Sequence, residues 1–348
     1  MSDEAVLDDG YVMVVGLEVH AELATESKMF SGAPNSYGAE PNTNIDPVTL
    51  GLPGSLPVLN KRAVELAIRL GLALQCTVQP SVFARKNYFY PDMPKDFQIS
   101  QYDRPIDVDG FLELPSGKRI GVERAHLEED TGKSTHVGGS GRISGADHSL
   151  VDYNRAGVPL LEIVSRPDIA SSEEARAYAS ELRAILVATG VSDGRMEEGS
   201  MRVDANVSVH RPGEPLGTRC EIKNLNSLRS LGRAVDYEAR RQVDALAAGE
   251  TIRQETRLWD EQVGRTATMR VKEDADDYRY FPEPDLVPID PDAAWIDDIR
   301  RTLPMLPARR RERLVEVAGA TGEQTHAVGV IVERGADDLA LGLIEAGA

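Results

Sequence analysis

Two segments of the chain have patterns of apolar and polar residues that are typical of β-strands. Residues 11–23 form an apolar, β-branched run, and residues 201–211 alternate strictly. The apolar side of the second segment consists of Met201, Val203, Ala205, Val207 and Val209. Because successive side chains of a strand point to opposite faces, the segment should bury one face and present polar side chains on the other.

Apolar residues at helical spacing predict several helices. The predicted ranges are 60–75, 171–190, 226–248 and the chain from about 292 onward. Ser171 followed by Glu174 forms a capping box, and Gly190 is a suitable terminator for the same helix. Residues 30–59 are rich in turn-forming residues, and residues 273–293 are acidic with four prolines. The pattern as a whole predicts an α+β fold with a largely antiparallel sheet.

Composition narrows the class of protein. The 348 residues suffice for about two domains with cores of their own. No segment approaches the ~18–20 apolar residues of a membrane span, and the first ten residues are acidic and unlike a signal peptide. Two cysteines argue against a disulfide framework. We therefore expect a cytoplasmic protein without membrane contact.

The net charge of −18 excludes nucleic-acid binding driven by overall charge. The acidity is concentrated, however: the first ten residues carry −4 and residues 273–298 carry −9, which leaves −5 for the rest. A locally basic, salt-sensitive RNA site is therefore compatible with the composition. Arginines cluster at 300–313, where a solvated helix face is a commoner explanation than an RNA contact.

Charged residues interrupt three apolar segments, whereas phosphate-loop, dinucleotide and G-x-S-x-G motifs are missing from the sequence. Glu18 and His20 lie two residues apart in the first strand and should share a face. An acidic cluster follows at 126–130, and Glu162 stands in a third apolar run. Carboxylates from three places and one imidazole suit a hard divalent ion that holds a phosphate. For each of these positions considered alone, a salt bridge is the alternative to a metal site.

Residues 85–95 combine basic residues, aromatic rings and prolines. Such a segment can place Lys86 on a phosphate while rings stack on a base or ribose, although a packed loop with surface lysines is an equal alternative. On the polar face of the 201–211 strand, Arg202 and Asp204 are candidates for nucleotide contacts. Ionic pairs across the sheet explain these two residues equally well.

Long motifs in chain order resemble one family. They are VVGLEVHAEL at 14–23, LGLPGSLPVLNKRAVELA at 50–67, RKNYFYPDMPKDFQISQYDRPI at 85–106, HLEEDTGKSTH at 126–136, VDYNRAGVPLLEIVSRPDI at 151–169, RMEEGSMRVDANVSV at 195–209, EIKNLNSLRSL at 221–231 and DDYRYFPEPDLVP at 276–288. They are similar to the B-subunit of the aspartyl/glutamyl-tRNA(Asn/Gln) amidotransferases and to its archaeal glutamyl-specific homologue, over roughly residues 12–305.

The resemblance implies a cradle related to the glutamine synthetase and guanidino kinase fold. It implies that ATP phosphorylates the side-chain carboxylate of Glu on tRNA(Gln) or Asp on tRNA(Asn), and that ammonia then gives the amide. It further implies Mg²⁺ as cofactor, an amidase (glutaminase) subunit that supplies the ammonia, and a small third subunit. The choice between Asp and Glu specificity stays open.

Within the matching motifs, the resemblance implies His20, Glu129 and Glu162 as magnesium ligands. Glu18 and Glu128 are second choices, as ligands or as catalytic groups that orient the ligands. Lys86 resembles the cation that holds the transferring phosphoryl group.

Two departures from the family are expected. A structural zinc site of the family is lost, because its cysteine positions correspond to Ser31, Ala33, Asp46 and Thr49. The organisation expected is an acidic extension at 1–10, a catalytic cradle at 11–292 and a partial helical domain at 293–348 without the family's tail domain. Either a natural short form or a fragment would explain this.

Two other functions compete with that of an amidotransferase. One is an ATP-dependent ligase that joins an amine to a carboxylate of a substrate other than tRNA. The expected lack of the family's tail domain is the reason to consider this function. The other is a non-catalytic, truncated scaffold subunit. The set of Glu18, His20, Glu129 and Glu162 favours an enzyme.

Overall fold

A computed structural model describes residues 7, 9–138, 145–271 and 278–347. Most of the acidic extension predicted at 1–10 and the start of the acidic segment 273–293 lie outside the described residues. Within them the predicted α+β class is confirmed, since one large sheet and several helices make up the chain.

The strands have the following bounds: β1 (Val12–Glu22), β2 (Thr77–Val78), β3 (Ala84–Asn87), β4 (Phe97–Ser100), β5 (Asp107–Glu113), β6 (Arg119–Glu129), β7 (Lys133–Val137), β8 (His148–Asp152), β9 (Pro159–Ser165), β10 (Met201–His210), β11 (Cys220–Leu225), β12 (Glu255–Asp260), β13 (Arg265–Val271) and β14 (Phe281–Pro282). The main sheet has the order β13-β12-β11-β10-β1-β9-β6-β4-β3-β14, with β5 beside β6 and β2 beside β5. Strands β7 and β8 form a separate hairpin. Among the described pairings β11 with β12 is parallel and the others are antiparallel, as predicted.

The central strands bury one face and leave the other open. In β1 the odd positions from Val15 to Ala21 are fully buried, whereas the even positions, including Glu18 and His20, are partly exposed. Strand β10 follows the predicted alternation, with its five alternate apolar residues buried and Arg202 and Asp204 on the open face. The open face of the sheet is therefore lined by polar side chains.

Helices pack against the apolar face of the sheet. Their bounds are α1 (Lys61–Ala73), α2 (Ser172–Ala188), α3 (Leu228–Ala247), α4 (Ala293–Arg301), α5 (Pro307–Ala318), α6 (Glu323–Glu333) and α7 (Asp337–Glu345). The predicted capping box is confirmed: the Ser171 hydroxyl accepts from the Glu174 N–H at 3.1 Å, and the Glu174 carboxylate accepts from the Ala170 N–H at 2.8 Å. Helices α1, α2 and α3 share one hydrophobic core with the sheet.

A buried carboxyl group marks the contact between α1 and β5. Asp107 is 0% exposed, and neither of its carboxyl oxygens has a hydrogen-bond partner among the described residues. A Cβ atom on Gly71 would lie 2.0 Å from Oδ1 of Asp107, so only glycine permits this close approach. Burial raises the pKa of Asp107 well above its ordinary value, which favours the neutral carboxylic acid.

Asp107→Asn is expected to stabilise the protein above about pH 4. The folded-state pKa is raised, so the folded chain retains a proton that the unfolded chain has released, and rising pH destabilises the wild type. The advantage of the variant should grow by up to ~1.4 kcal/mol per pH unit between the unfolded and folded pKa values and then level off. Urea denaturation at pH 4, 6 and 8 measures this difference. An advantage that does not depend on pH would contradict the explanation.

The C-terminal helices carry the arginine-rich segment and bear out the helical prediction from about residue 292. Leu314, Val328, Val332 and Leu341 of α5–α7 form a second hydrophobic cluster. Two arginines of α5 pair with residues of other helices: Arg310 binds Asp337 of α7, and Arg311 lies 2.8 Å from Glu181 of α2. These ion pairs account for part of the arginine-rich segment without any contact to RNA. Among the described helices, none combines the length and apolarity needed to cross a bilayer.

Candidate active site

Three neighbouring strands bring a histidine and two glutamates to one point on the open face of the sheet. His20 of β1 and His126 of β6 lie on either side of Glu162 of β9 in the strand register. Nε2 of His20 lies 3.3 Å from Oε2 of Glu162 and 3.7 Å from Oε1 of Glu128. The potential ligand atoms of His20, Glu128 and Glu162 all lie within 4.8 Å of one another. We call these three residues the cation cluster.

Burial and mutual charge set the protonation of this cluster. Burial acts to lower the pKa of His20, but its hydrogen bond to Glu162 and the nearby carboxylates raise this pKa to about 9. Burial and the charge of Glu162 raise the pKa of Glu128 to about 7. Burial also acts to raise the pKa of Glu162, yet the neighbouring imidazoles and Arg124 hold it well below its ordinary value. Two carboxylates at such close range favour a positive charge between them.

The donor set of the cation cluster fits a divalent cation. Two carboxylates suit Mg²⁺, Ca²⁺ and Mn²⁺, and one imidazole is a frequent ligand of transition metals. His20, Glu128 and Glu162 would hold the ion. Glu18 lies next to His20 on the same face, as predicted, and its Oε1 accepts a hydrogen bond from Asn206 at 2.8 Å. Glu18 therefore borders the cluster, within the same cleft.

The prediction that Glu129 is a ligand differs from this geometry. Oε1 of Glu129 lies 2.5 Å from Nζ of Lys95 and accepts the Ile99 N–H at 2.9 Å. Glu129 is the neighbour of Glu128 in β6, and adjacent residues of a strand face opposite sides. The structure therefore places Glu128 in the cation cluster and Glu129 in a buried ion pair, which reverses the order of choice made from the sequence.

His126 was missed by the sequence reasoning. Its Nε2 lies 3.6 Å from Oε2 of Glu162 and 3.9 Å from Oε2 of Glu128. Burial lowers its pKa to about 4, so the ring is neutral at pH 7, and its Nδ1 has no hydrogen-bond partner among the described residues. The signal was available, because His126 and Glu128 are two residues apart in a strand, as Glu18 and His20 are.

Two clefts adjoin the cation cluster and contain the predicted nucleotide-binding residues. Their volumes are about 280 and 460 Å³, and both are lined by Lys86, Lys223 and the three cluster residues. Arg202 and Asp204 line the larger one. Both residues also form the ionic pairs that the alternative interpretation expected, since Arg202 lies 2.8 Å from Asp130 and Lys223 lies 2.5 Å from Asp204. Lys223 is a further basic residue of the site, 2.9 Å from Glu221.

Aromatic rings line the smaller cleft. Nζ of Lys86 lies 4.7 Å from the ring centre of Tyr278, and Tyr280 stacks on Tyr102 with ring centres 4.1 Å apart. The side chain of Asn87 donates to the Tyr278 carbonyl at 2.8 Å, and Arg85 forms an ion pair of 2.6 Å with Glu283. These contacts attach the 278–283 segment to β3. The aromatic segment 85–95 contributes Lys86 and Tyr88 to the clefts.

The four positions at which the resemblance places a zinc site of the family lie in segments with hydrogen-bonded turns. Asp46 accepts the Thr49 N–H at 2.8 Å, and Ser31 accepts the Ala33 N–H at 3.3 Å. Burial acts to raise the pKa of Asp46, but hydrogen bonds from Thr49 and Ser31 and the charge of Lys28 lower it. Carboxylate, hydroxyl and methyl groups stand where thiolates would be needed. The expected lack of zinc stays a prediction.

Comparison with known proteins identifies the family. Residues 13–297 match the family described as the GatB/GatE catalytic domain. The chain belongs to this family. It is 54% identical, over 99% of its length, to the B-subunit of the aspartyl/glutamyl-tRNA(Asn/Gln) amidotransferase of Kineococcus radiotolerans and covers 71% of that protein. The protein of the same name from Nocardia farcinica is 56% identical over 97% of the chain, which covers 69% of that protein. The protein of the same name from Frankia casuarinae is 58% identical over 89% of the chain, which covers 64% of that protein.

Membership of the GatB/GatE family confirms the resemblance drawn from the sequence motifs. The matched range contains the cation cluster, Lys86, Arg202 and Asp204. Helices α5–α7 lie beyond the matched range.

Proposed function

We propose that the chain phosphorylates the side-chain carboxylate of Glu on tRNA(Gln), of Asp on tRNA(Asn), or of both with ATP, and that ammonia then displaces the phosphate to give the amide. The names of the relatives, which are B-subunits of aspartyl/glutamyl-tRNA(Asn/Gln) amidotransferases, support the substrate class. The observation that carries the proposal is the cation cluster between two clefts that share Lys86. The likeness to the glutamine synthetase and guanidino kinase fold stays a prediction.

The chemistry follows from the poor leaving ability of a carboxylate oxygen. A carboxylate oxygen of the substrate attacks the γ-phosphorus of ATP, and ADP leaves. Ammonia then attacks the carbonyl carbon of the acyl phosphate, the C–O bond to the phosphate breaks, and the proton that the nitrogen loses leaves with the phosphate as hydrogen phosphate. A divalent cation, when bound, neutralises charge on the transferring phosphoryl group. Lys86 supplies a point charge for the same group, and Lys223 is held between Asp204 and Glu221 at the border of both clefts.

The chain should act within a complex. The name of the relatives denotes one subunit of an amidotransferase, and neither cysteine of the chain is among the residues that line the two clefts. Both cysteines are buried, and burial raises their thiol pKa values, Cys220 to about 12. We propose an amidase (glutaminase) subunit and a small third subunit as partners in the cytoplasm, with ammonia delivered by the amidase.

The test is a reconstitution with Glu-tRNA(Gln) or Asp-tRNA(Asn), ATP, Mg²⁺ and either ammonium or glutamine with the amidase and the small third subunit. The proposal requires ADP release that depends on the misacylated tRNA, together with Gln-tRNA or Asn-tRNA as product. ADP release that does not depend on tRNA would point to another carboxylate substrate. No turnover with any combination would overturn the assignment.

Lys86→Met is expected to lower kcat for amidation by about 100-fold or more while the protein stays folded. The side chain lies in the clefts and over the Tyr278 ring, so its loss removes charge from the site without opening the core. Lys118→Met is the matched control, because Lys118 forms a partly exposed ion pair of 2.7 Å with Glu174 on another part of the surface. Equal activity of the two variants would remove Lys86 from the mechanism.

A further inference from the structure

Strand β6 changes its neighbour on one edge where it passes the cation cluster. Its first part pairs with β5 as far as Ala125, and its end pairs with β4, where Ser100 lies opposite Glu128. The backbone groups of His126 and Leu127 lie between these two pairings. A backbone N–H or C=O group that loses its ladder partner inside a protein needs another one. The backbone beside Glu128 therefore depends on contacts other than a regular ladder.

Two glutamine side chains supply these contacts. Oε1 of Gln101 accepts the Leu127 N–H at 3.0 Å, and Nε2 of Gln98 donates to the Glu129 carbonyl oxygen at 2.7 Å. The residues before and after Glu128 are thus each bound through their backbone by one glutamine amide. We call Gln98 and Gln101 the glutamine bracket.

Both members of the glutamine bracket are buried. Gln101 is 1% exposed and Gln98 is 8% exposed. Nε2 of Gln101 has no hydrogen-bond partner among the described residues, so the contact with the Leu127 N–H is the one that fixes this side chain there. Loss of either amide would leave a buried backbone group without this partner, which is costly because water does not replace it.

Ser100 of the same strand contacts the ligand directly. Its hydroxyl donates to Oε2 of Glu128 at 3.4 Å, while Oε1 of this carboxylate lies 3.7 Å from Nε2 of His20. The contacts follow the antiparallel register, from Gln101 at residue 127 through Ser100 at residue 128 to Gln98 at residue 129. Strand β4 and the residue after it therefore determine where the Glu128 carboxylate stands relative to the other two ligands.

We propose that the glutamine bracket positions Glu128 for cation binding, so that Gln98 and Gln101 act through Glu128 and contact neither the ion nor a substrate. The inference rests on the proposed function and deepens it by two positioning residues of the cation cluster. Loss of a group that orients a metal ligand usually costs about 10–100-fold in metal affinity or activity. Gln101 lines the smaller cleft and Gln98 the larger one, so the test must exclude a direct contact with substrate.

The experiment titrates Mn²⁺ into the complex of the chain with the amidase and the small third subunit, with Glu128→Gln as the baseline for ions bound elsewhere. Gln98→Met and Gln101→Met should each lower the Mn²⁺ affinity about 10-fold or more. Amidation at limiting Mn²⁺ should fall with the affinity and recover when the Mn²⁺ concentration is raised. KM for the misacylated tRNA should stay within about twofold of the wild type, because neither amide contacts the substrate.

Gln242→Met is the matched control. Gln242 of α3 is 0% exposed and donates to the Val207 carbonyl oxygen of β10 at 2.9 Å, on the helical side of the sheet. Its replacement also removes a buried bond between a glutamine amide and a strand backbone. We expect a loss of stability with Mn²⁺ affinity within about threefold of the wild type, because distant sites act independently.

Replacement by glutamate separates the hydrogen bonds of the bracket from the charge near the site. In Gln101→Glu a carboxylate oxygen still accepts the Leu127 N–H, whereas in Gln98→Glu a carboxylate oxygen faces the Glu129 carbonyl, which is also an acceptor. Both variants add the same charge. The Mn²⁺ affinity of Gln98→Glu should therefore be about 10-fold or more below that of Gln101→Glu. Equal affinities of these two variants would overturn the proposal.

The remaining outcomes also decide the inference. Wild-type Mn²⁺ affinity in a folded Gln98→Met or Gln101→Met variant would show that this glutamine does not position Glu128. A higher KM for ATP or tRNA with unchanged Mn²⁺ affinity would place the amide on a substrate, which overturns the proposal as well. If a methionine variant does not fold in thermal melts, the comparison of the glutamate variants decides alone. The Mn²⁺ titration needs no tRNA, so failure of the proposed function, seen as no amide formation by the wild type, is recognised separately.

Discussion

Glu128→Gln is expected to weaken Mn²⁺ binding by more than ~100-fold and to abolish ATP-dependent amidation. Glu128 contributes one of the three converging ligands of the cation cluster, with Oε1 3.7 Å from Nε2 of His20. Changes in residues that only orient a ligand usually cost about 10–100-fold in metal affinity or activity, so the loss of a ligand should cost more. Isothermal titration with Mn²⁺ and the amidation assay measure the two effects. His20→Ala and Glu162→Gln should behave in the same way.

Glu129→Gln is the matched control, since it makes the same chemical change one residue along β6. The glutamine can still accept the Ile99 N–H and face Lys95, so we expect Mn²⁺ affinity within about threefold of the wild type and some loss of stability. Loss of Mn²⁺ binding in Glu129→Gln with retention in Glu128→Gln would reverse the assignment and restore the ligand chosen from the sequence. Thermal melts of both variants separate loss of the site from unfolding.

Glu238→Ala is expected to lower the free energy of unfolding by about 3–5 kcal/mol, the largest stability effect that we predict. Glu238 of α3 is 0% exposed and accepts hydrogen bonds from Arg241 at 2.5 Å and from Thr266 of β13 at 2.9 Å. Arg257 of β12 lies 3.3 Å from the same carboxylate. Removal of this carboxylate takes away the ion pair of Arg241 and leaves Arg257 with Glu255 as its carboxylate partner. Denaturant titration followed by the fluorescence of Trp259, which is 1% exposed on β12, measures the change.

The pH dependence gives a second test of Glu238. Burial acts to raise its pKa, but hydrogen bonds from Arg241 and Gln242 and the arginine charges lower it. A lowered folded-state pKa means that the stabilisation is present above the unfolded pKa of about 4.3 and is lost as pH falls through the folded value. The difference between wild type and Glu238→Ala should therefore shrink below about pH 4.3. Glu312→Ala, which breaks an exposed pair with Arg309, should cost no more than about 1 kcal/mol at any pH.

The predicted elements correspond closely to the observed ones where the pattern was long and regular. The strand predicted at 11–23 is β1, the alternating segment at 201–211 is β10, and the helix with the Ser171 cap is α2. Local rules suffice in these cases, because the period of burial and the capping residue are both contained in the segment. Short strands such as β2 and β14 were not predicted, since two residues carry no period and pair only because the chain passes a free edge.

The candidate site was predicted in part for a similar reason. The period of a strand places Glu18 and His20 on the same face of β1. The same rule places His126 and Glu128 on one face of β6, and it favours Glu128 over Glu129 as a member of the site. The family motif favours Glu129 as the ligand, whereas the strand period and the geometry of the cation cluster favour Glu128. The ion pair between Lys95 and Glu129 depends on two separate parts of the chain and could not be read from either.

The sequence by itself determined the α+β class, the faces of the central strands and the family, because these depend on short-range periods and on long ordered motifs. Only the tertiary structure decided which charges meet. The order β10-β1-β9-β6 brings ligand atoms of His20, Glu162 and Glu128 within 4.8 Å of one another. The physical reason is that a strand's sequence specifies which side chains point to the same face, whereas the neighbours across the sheet come from distant parts of the chain and depend on how the whole core packs.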